Sequence, residues 1–513
     1  MSETSANNKR IAKNTLYMYA RMIVMMVISL FTTRITFRIL GVDNYGIYNI
    51  VGGIIVFFTF INQALTTATR RYITAEIATG TDDSRRNVFS IALLSHGIIS
   101  LVIVAIAEII GLYIVNAVLN IPEDRMFAAN VVYQLSIVSA IVGIMQAPYT
   151  AAITAYEKMS IYAYYSVVEA VLKLIGVLVL YFLSGDKLIV YAITMLLSTI
   201  IINFIYRLYC LSHFSECKFK MPHDKKLLKE MFGFMGWSLF GQASVVLTNQ
   251  GVSVLVNMFF TVAANAAMGI SNQITHIVSN FVSSFQVAFH PQITKLYVKK
   301  DFEELSKLSI RCSRISSYLV MFFMLPIIFQ VHNFLSIWLG DYPQYAVEFC
   351  IYTLLSIYFE TISAPFWMIN YSDKKLRSYQ IGSAVIFSLC FFIGWIVLSL
   401  GFPPYSAIIV RSFVMLLMIP YRLYMVLKKI PTYPVWLWTK QAFLRSFLVM
   451  LTPAIIMLFM TKVHFEYTIV EFIVNCSICV LLTIASIYFV GLTSQERIFV
   501  NEKIKAKIKK IKL

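Results

Sequence analysis

Charged residues are scarce in this chain. They make up 13% of its 513 residues, whereas a typical soluble domain carries about 25%, and 59% of the residues are hydrophobic. This composition excludes a soluble globular protein. The charges that are present are mostly positive, with 43 Lys and Arg against 25 Asp and Glu. Because these cations lie in short segments between apolar runs, they do not predict a nucleic-acid partner.

Cysteines and catalytic motifs are equally sparse. The seven cysteines are scattered, and the Cys476/Cys479 pair lies inside an apolar run with no second pair, so packing is a better interpretation than metal or redox chemistry. The chain has no Walker loop and no metal-ligand histidine spacing, and its loops hold no paired acids suited to sugar chemistry. We therefore predict no enzyme, no catalytic residue, no metal and no cofactor, with an ion gradient or the membrane potential as the energy source.

Long apolar runs fill most of the chain. A helix needs about 20 apolar residues to cross the hydrocarbon, and lipid excludes irregular backbone. The runs predict an all-α integral membrane protein with about fourteen spanning helices. They lie near residues 12–40, 47–71, 88–119, 127–152, 160–184, 187–211, 230–258, 262–297, 306–338, 346–370, 377–400, 404–428, 440–461 and 467–491.

Lys and Arg are concentrated in alternate loops, which indicates the orientation. Short loops rich in these residues stay in the cytoplasm, so both termini are predicted to be cytoplasmic. The polar stretch Met1–Asn8 is not followed by a cleavage site, so the first run is expected to be a retained anchor. The basic tail is expected to lie on anionic membrane lipids.

The two halves of the chain resemble each other. Ala147-Pro148-Tyr149 and Ala364-Pro365-Phe366 both end a predicted span and both precede a basic loop at the same spacing. This predicts two six-helix lobes related by a parallel pseudo-two-fold repeat, the arrangement of an alternating-access transporter. The predicted boundaries are an N-terminal lobe at 1–215, a C-terminal lobe at 216–435, an extra helix pair at 436–495 and a tail at 496–513. Symmetry within one chain favours a monomer.

One segment resembles a known family. Arg38-Ile-Leu-Gly41, followed by Tyr45-Gly46-Ile-Tyr48, is similar to the "R-x-L-G…(F/Y)-G-x-Y" segment of bacterial polysaccharide flippases. These Wzx-type proteins are a branch of the multidrug/oligosaccharidyl-lipid/polysaccharide exporter superfamily. Arg70-Arg71, Gly80-Thr-Asp82 and His290-Pro291 fit the same pattern, whereas Thr261 stands where the second lobe usually has glycine. We expect Gly41 to Gly46 to form a turn that reverses the chain.

The resemblance implies a fold and an activity. It implies two helical bundles around a cavity, in the bacterial inner membrane, and movement of an isoprenoid-pyrophosphate-linked oligosaccharide from the inner to the outer leaflet. That activity serves surface polysaccharides such as O-antigen, capsule or exopolysaccharide, including those of lipopolysaccharide. Polysaccharide polymerase machinery is a candidate partner beside the lipid-linked substrate.

Uncharged polar residues recur on one side of the seventh and eighth runs. On a helical wheel at about 100° per residue, those of run eight fall within about 60° of Asn265. An amide facing lipid would cost several kcal/mol, so these sides face other helices or water. A hydrated sugar-binding cavity is our preferred interpretation, and interhelical hydrogen bonding is the alternative. The candidate substrate-binding residues are Gln242, Asn249, Ser253, Asn257, Asn265, Asn272, His276, Asn280 and Ser283.

Arginines and acids complete the candidate site. Arg21, Arg34 and Arg38 suit a pyrophosphate, although each could instead reach lipid head groups. Gln63 and Arg70 align by the repeat with Ser283 and His290.

Four acids lie inside apolar runs, namely Glu108, Glu169, Glu360 and Glu471. Glu169 is expected to pair with Lys173 one turn away. Glu108 and Glu360 have no local partner and are the candidates for ion coupling.

Other functions are less well supported by the sequence. An exporter of cationic drugs needs acids in its cavity, but runs one and eight contain no Asp or Glu. A membrane glycan polymerase or ligase needs larger outside loops than these. A purely structural scaffold would leave the polar sides unexplained.

Overall fold

The structure is a computed structural model that describes most of the chain. It describes residues 3–56, 65–66, 69–70, 72–73, 76, 81–156, 158–222, 227–229, 231, 248, 250–287, 289–372, 377–460, 468–498 and 501–502. Every regular element in these residues is a helix. The predicted site residues Gln63, Gln242 and Asn249 lie outside the described residues.

The first five helices are long and apolar. They are α1 (Glu3–Val56), α2 (Asp82–Val118), α3 (Met126–Ala155), α4 (Met159–Val179) and α5 (Lys187–His213). N-terminal capping side chains determine where two of these helices begin. They accept hydrogen bonds from the first backbone amides, which have no partner within the helix. Thr81 accepts a hydrogen bond from Ser84 N before α2, and Asp186 accepts from Leu188 N before α5.

The second half of the chain contains eleven described helices in sequence, several of them short. They are α6 (Gln250–Phe259), α7 (Val262–Val287), α8 (His290–Val298), α9 (Phe302–Phe329), α10 (Val331–Leu339), α11 (Ala346–Ile362), α12 (Ala364–Tyr371), α13 (Arg377–Ser399), α14 (Ser406–Leu427), α15 (Val435–Met460) and α16 (Thr468–Gly491).

Among the described residues, ten helices are long and apolar enough to cross a membrane. An eleventh span results if α11 and α12, which meet at a 46° bend, count as one. The chain is therefore a multi-pass, all-helical membrane protein. The predicted total of about fourteen spans includes residues that are not described, and it stays a prediction.

Three predicted spans are broken rather than straight. The run predicted at 306–338 ends at Gln330 and resumes as α10, four residues after Pro326. Pro291 and Pro365 stand in the first turns of α8 and α12, where a missing N–H costs nothing. The two Ala-Pro-aromatic motifs differ in structure, because Pro148 lies inside the continuous helix α3.

The predicted turn between Gly41 and Gly46 is confined to Gly41 in the structure, where two helices meet at a kink within α1. Only Gly41 is non-helical, with φ 75° and ψ 176°, and residues 42–46 already belong to the second helix. That left-handed φ favours glycine because it has no Cβ. Gly46 lies inside the helix and has a different role, described below.

Helix α2 widens into π-helical turns at Ala107–Gly111 and Ile114–Val118. At the first, the buried Tyr133 hydroxyl of α3 donates a 2.7 Å hydrogen bond to the Ala107 carbonyl. This bond satisfies a backbone group where the regular helical ladder is interrupted.

The helices belong to two compact units. One unit comprises Met1–Gly269, Pro343–Tyr345 and Phe387–Ala407, and its cores include Ile47, Val115, Tyr133 and Val262. The other comprises Ile270–Tyr342, Ala346–Ile386 and Ile408–Leu513. The lobe boundaries and the parallel repeat stay predictions.

In the second unit, polar contacts attach α9 to the end of the chain. The buried Arg314 forms an ion pair with Glu496, which follows α16, and Arg311 lies 3.8 Å from the same carboxylate. One turn further on, Tyr318 donates a 2.9 Å hydrogen bond to the Gly491 carbonyl. These charges and the Thr493 amide hold the pKa of Glu496 below its usual value, although burial acts in the opposite direction.

An ion pair in the loops of the first unit provides a pH-dependent prediction. Arg125 binds both oxygens of Asp186, at 2.7 and 3.0 Å, and this lowers the pKa of Asp186 from 3.8. A lowered folded-state pKa means that the stabilisation is complete above the ordinary pKa and is lost as pH falls through the folded value. Asp186→Asn keeps a capping group but removes the pair, so we expect it to lower stability by about 1 kcal/mol at pH 7.

Thermal unfolding in detergent between pH 7 and pH 3.5 checks this expectation. The difference between wild type and Asp186→Asn should stay constant from pH 7 to pH 5 and shrink below about pH 4. A difference that persists unchanged at the lowest pH would mean that the ion pair is not its source.

Candidate functional site

Most of the predicted polar side of α7 is accessible in the structure. His276, Asn280 and Ser283 are exposed and Asn272 is half-buried. The opposite face packs inside the second unit, because Ile270, Ile274, Val278 and Val282 are all at most 3% exposed. Amide, hydroxyl and imidazole groups on an exposed helix face suit contact with water or with a polar ligand.

The predicted polar residue in the first turn of α7 is buried, unlike those further along the helix. Asn265 is 1% exposed, and its Oδ1 accepts a 3.2 Å hydrogen bond from Ser253 of α6. Asn257 is also sealed, and its Oδ1 accepts a 2.9 Å bond from the Asn120 amide. Ser253, Asn257 and Asn265 therefore make interhelical hydrogen bonds, the alternative to cavity lining, and we correct their predicted placement on an open surface.

Two amide nitrogens in that sealed group have unused donors. Among the residues that the structure describes, neither Asn257 Nδ2 nor Asn265 Nδ2 has a hydrogen-bond partner. An unsatisfied buried donor costs about 1–3 kcal/mol, so a water molecule or a second conformation must offset this cost.

A second polar line on α7, which the sequence analysis did not use, binds α11. The buried Ser271 hydroxyl lies 2.9 Å from Thr353 Oγ1 and 3.3 Å from the Phe349 carbonyl. Near the other end of the helix, Gln286 donates a 3.4 Å hydrogen bond to the Thr361 carbonyl. These bonds fix the rotation of α7 and so present the face bearing His276 outward.

The three arginines of α1 have different surroundings. The Arg21 guanidinium lies 4.7 Å from the centre of the Tyr162 ring of α4, which is cation–π geometry. Arg34 is half-buried and Arg38 is exposed. Within the described part of the chain, no carboxylate pairs with Arg34 or Arg38.

Arg34 and Arg38 are spaced so that both can contact one ligand. Residues four apart lie on one side of a helix, about 6 Å apart along its axis. Two guanidinium groups at this separation can each donate two hydrogen bonds to a phosphate. The arrangement can therefore bind a pyrophosphate, with one arginine for each phosphate.

Close helix contacts hold this part of α1 in place. A Cβ added at Gly46 would lie 2.8 Å from the carbonyl carbon of Val262 at the start of α7. Three residues later, the Asn49 side chain occupies the space that a Cβ on Gly269 would need, and its Nδ2 donates a 2.7 Å bond to the Tyr45 carbonyl. Tyr45 in turn packs edge-on against Phe37, with ring centres 5.5 Å apart. The family-like segment is thus a helix-packing surface.

The remaining candidates are dispersed. Arg70 is exposed, and its position relative to substrate stays a prediction. Glu108 lies in the first π-helical turn of α2 and accepts a 3.2 Å hydrogen bond from Gln134 of the neighbouring helix α3, and its role in ion coupling stays a prediction. Glu360 is exposed just before the bend between α11 and α12. Lys173 pairs with Glu169 at 2.6 Å, as predicted.

The structure gives no support to metal chemistry in the residues that it describes. No group of three or more His, Cys, Asp or Glu side chains is placed to hold an ion there.

Known proteins resemble this chain in sequence. The family model described as "Polysaccharide biosynthesis protein" matches residues 11–297, which is more than half of the chain. The uncharacterized membrane protein EpsK of Bacillus subtilis (strain 168) is 21% identical over 315 residues. That match covers 61% of this chain and 62% of EpsK, less than two thirds of the relative's length.

Solved structures share the fold at low sequence identity. The lipid II flippase MurJ, in an inward closed conformation, matches with a TM-score of 0.71 and 13% identity, covering 95% of this chain and 100% of MurJ. An inward-facing multidrug resistance MATE family transporter of the MOP superfamily matches with a TM-score of 0.65 and 12% identity, covering 80% of this chain and 99% of that chain. The helices described above are therefore arranged in a fold that these transporters also use.

Proposed function

The chain belongs to the polysaccharide biosynthesis protein family, and from this premise we propose that it is a flippase for lipid-linked oligosaccharides. It moves isoprenoid-pyrophosphate-linked sugar units from the inner to the outer leaflet of the bacterial cytoplasmic membrane, by alternating access of two lobes. Both termini face the cytoplasm. The observation that carries the proposal is the exposed, uncharged polar face of α7, formed by Asn272, His276, Asn280 and Ser283.

That face has the chemistry that sugars require. Carboxamides and hydroxyls donate and accept hydrogen bonds, as sugar hydroxyls do, so the two sets complement each other. The sequence of α7 contains no Asp or Glu, which disfavours a cationic drug as the substrate. A helix face that is polar but carries no carboxylate is suited to a large neutral glycan.

The arginines of α1 are the proposed ligands of the pyrophosphate. Arg34 and Arg38 each suit one phosphate group. Glu108 and Glu360 are the candidates for coupling transport to an ion. The anionic lipids, the polysaccharide polymerase machinery and the monomeric state belong to the same proposal.

Transport by the purified protein tests the proposal. Proteoliposomes receive a fluorescent undecaprenyl-pyrophosphate-linked oligosaccharide, and a membrane-impermeant reductant then bleaches the outer leaflet. We expect the bleached fraction to rise towards completion with the protein and to stay near one half without it. Fluorescent phosphatidylcholine, measured in parallel, controls for leakage. Failure of the lipid-linked sugar to cross under every ion gradient contradicts the proposal.

Substitutions on α7 test the sugar-binding role. The triple variant Asn272→Leu, His276→Leu and Asn280→Leu removes several hydrogen bonds of about 0.5–1.5 kcal/mol each, so we expect transport to fall by about 10- to 100-fold. The control is Thr452→Leu with Ser477→Leu, two exposed hydroxyls that bond only to their own helices. Equal losses in the two variants would indicate a general effect of added apolar surface and would remove the α7 face from the site.

A further inference from the structure

The helices that line an apolar cavity of the first unit carry none of the residues proposed to bind the substrate. It has a volume of about 550 Å³ and lies between α2 and α3. Leu93, Gly97, Leu101 and Val104 line it from one face of α2, and Ile141 and Met145 line it from α3. Leu101 is 73% exposed, so the cavity is open to the surroundings along its length.

Phe219 also lines this cavity. It belongs to the segment that follows α5, and neighbouring hydrogen bonds hold that segment against α2. The Lys220 amide donates a 3.0 Å bond to Ser90 Oγ, and Arg86 Nε donates a 2.8 Å bond to the Lys218 carbonyl. An aromatic side chain thus contributes to the lining from a segment that is bonded to α2 at Ser90.

Basic residues flank Phe219, with Lys218 and Lys220 beside it in the chain and Arg86 on α2 bonded to this segment. Lys220 is paired with Asp83 at 2.9 Å, but among the described residues no carboxylate pairs with Arg86 or Lys218. The guanidinium of Arg86 uses its Nε in the bond to the Lys218 carbonyl, which leaves its terminal nitrogens as donors for a ligand. Two cations beside an apolar cavity match a ligand with an anionic head and an apolar tail.

The length of the cavity indicates which kind of apolar tail fits it. From Leu93 to Val104 the lining of α2 rises about 16 Å, at about 1.5 Å per residue. One leaflet of a membrane's hydrocarbon core is about 15 Å thick. The cavity therefore fits a single acyl chain of one leaflet, and a polyprenyl chain is too long for it.

We propose that this cavity binds one acyl chain of an anionic glycerophospholipid, with its phosphate at Arg86 and Lys218. By the distribution of Lys and Arg, this is a lipid of the cytoplasmic leaflet. The bound chain fills the space between α2 and α3, and the head group fastens the Phe219 segment to both helices. The proposal does not depend on the transported substrate, so it can hold or fail independently of the flippase activity.

Gly97 provides a selective way to fill the cavity. A Cβ added there meets no atom within 4 Å, so Gly97→Leu projects into open space and leaves the helix packing intact. Gly52→Leu is the matched control, because a Cβ at Gly52 also meets nothing within 4 Å. For the charges, Arg86→Gln with Lys218→Gln is compared with Lys158→Gln, a substitution of another exposed lysine.

The experiment measures retained lipid by native mass spectrometry after purification in mixed micelles of phosphatidylglycerol and phosphatidylcholine. We expect the wild type to retain one phosphatidylglycerol, Gly97→Leu to retain at least fivefold less, and the charge variant to lose the preference for phosphatidylglycerol. Both controls should match the wild type. A phosphatidylglycerol with a photoactivatable acyl chain should also label peptides of α2 or α3 in the wild type and not in Gly97→Leu.

Three outcomes would overturn the proposal. Gly97→Leu could retain and crosslink the lipid as well as the wild type does. The wild type could retain both lipids equally, which would remove the role of Arg86 and Lys218. Undecaprenyl phosphate could displace phosphatidylglycerol at equal concentration, which would assign the cavity to an isoprenoid chain.

Discussion

Gly46→Ala is expected to destabilise the first unit by about 2–3 kcal/mol. The added methyl group would lie 2.8 Å from the carbonyl carbon of Val262, and neither backbone can move without displacing a packed helix. Ile47 and Val51, the adjacent residues of the same core, are fully buried, so there is little room to relax. Thermal unfolding in detergent, followed by size-exclusion chromatography, measures the effect.

Gly52→Ala is the matched control for this prediction. It places the same methyl group on the same helix where no atom lies within 4 Å. Because alanine is the better helix former, we expect stability to stay equal or to rise by about 0.5–1 kcal/mol. If the two alanine variants unfold at the same temperature, then the approach of α1 to Val262 is not a tight contact.

Arg34→Gln combined with Arg38→Gln should reduce transport of the lipid-linked oligosaccharide by at least about 100-fold. Each charge-assisted hydrogen bond to a phosphate contributes about 1.5–3 kcal/mol, and the pair would lose at least two of them. The loss should shrink when the substrate carries a single phosphate, because one arginine then has no partner even in the wild type. The proteoliposome assay with both substrates measures this difference.

The controls separate binding from membrane anchoring. Arg34→Lys with Arg38→Lys keeps both charges but not the planar fork, so we expect an intermediate loss of about tenfold. Arg125→Gln removes an arginine of the first unit that is already paired with Asp186, and transport should be unchanged. Full activity of the lysine variant would show that charge near the head groups suffices and that no shaped phosphate site exists.

The class of protein and many of its spans could be predicted from the sequence. The runs at 187–211 and 377–400 agree with α5 and α13 to within two residues at each end, because hydrophobicity over a full span is a strong signal. The family was also predictable, since the segment around Gly41 and Gly46 carries a recognisable pattern, and the match of the family model confirms it.

The positions at which spanning helices are bent or interrupted could not be predicted from hydropathy in the same way. A span averages hydropathy over many residues, whereas the bend at Ser363 and the interruption at Gln330 each depend on a single position. Gly46 was interpreted as part of a turn because glycine is common in turns. Its real constraint is Val262, which is distant in sequence, so no local pattern could indicate it.

The exposure of the candidate site residues could not be predicted from the sequence either. Helical periodicity placed Asn265 and His276 on the same side of α7, but it could not show that the first is sealed and the second exposed. That difference arises because Ser253 covers only the first turn. The bond between Gln134 and Glu108 joins two helices, and sequence spacing contains no information about such a pair.

The contact between Arg314 and Glu496 has a practical consequence for anyone who shortens or tags this chain. A deletion that begins before Thr493 would leave a guanidinium enclosed among apolar neighbours with no counter-charge, a loss of several kcal/mol. Affinity tags and fluorescent fusions are better attached beyond residue 502. Poor yields from shorter versions would then reflect the buried, unpaired Arg314 rather than the absence of a functional tail.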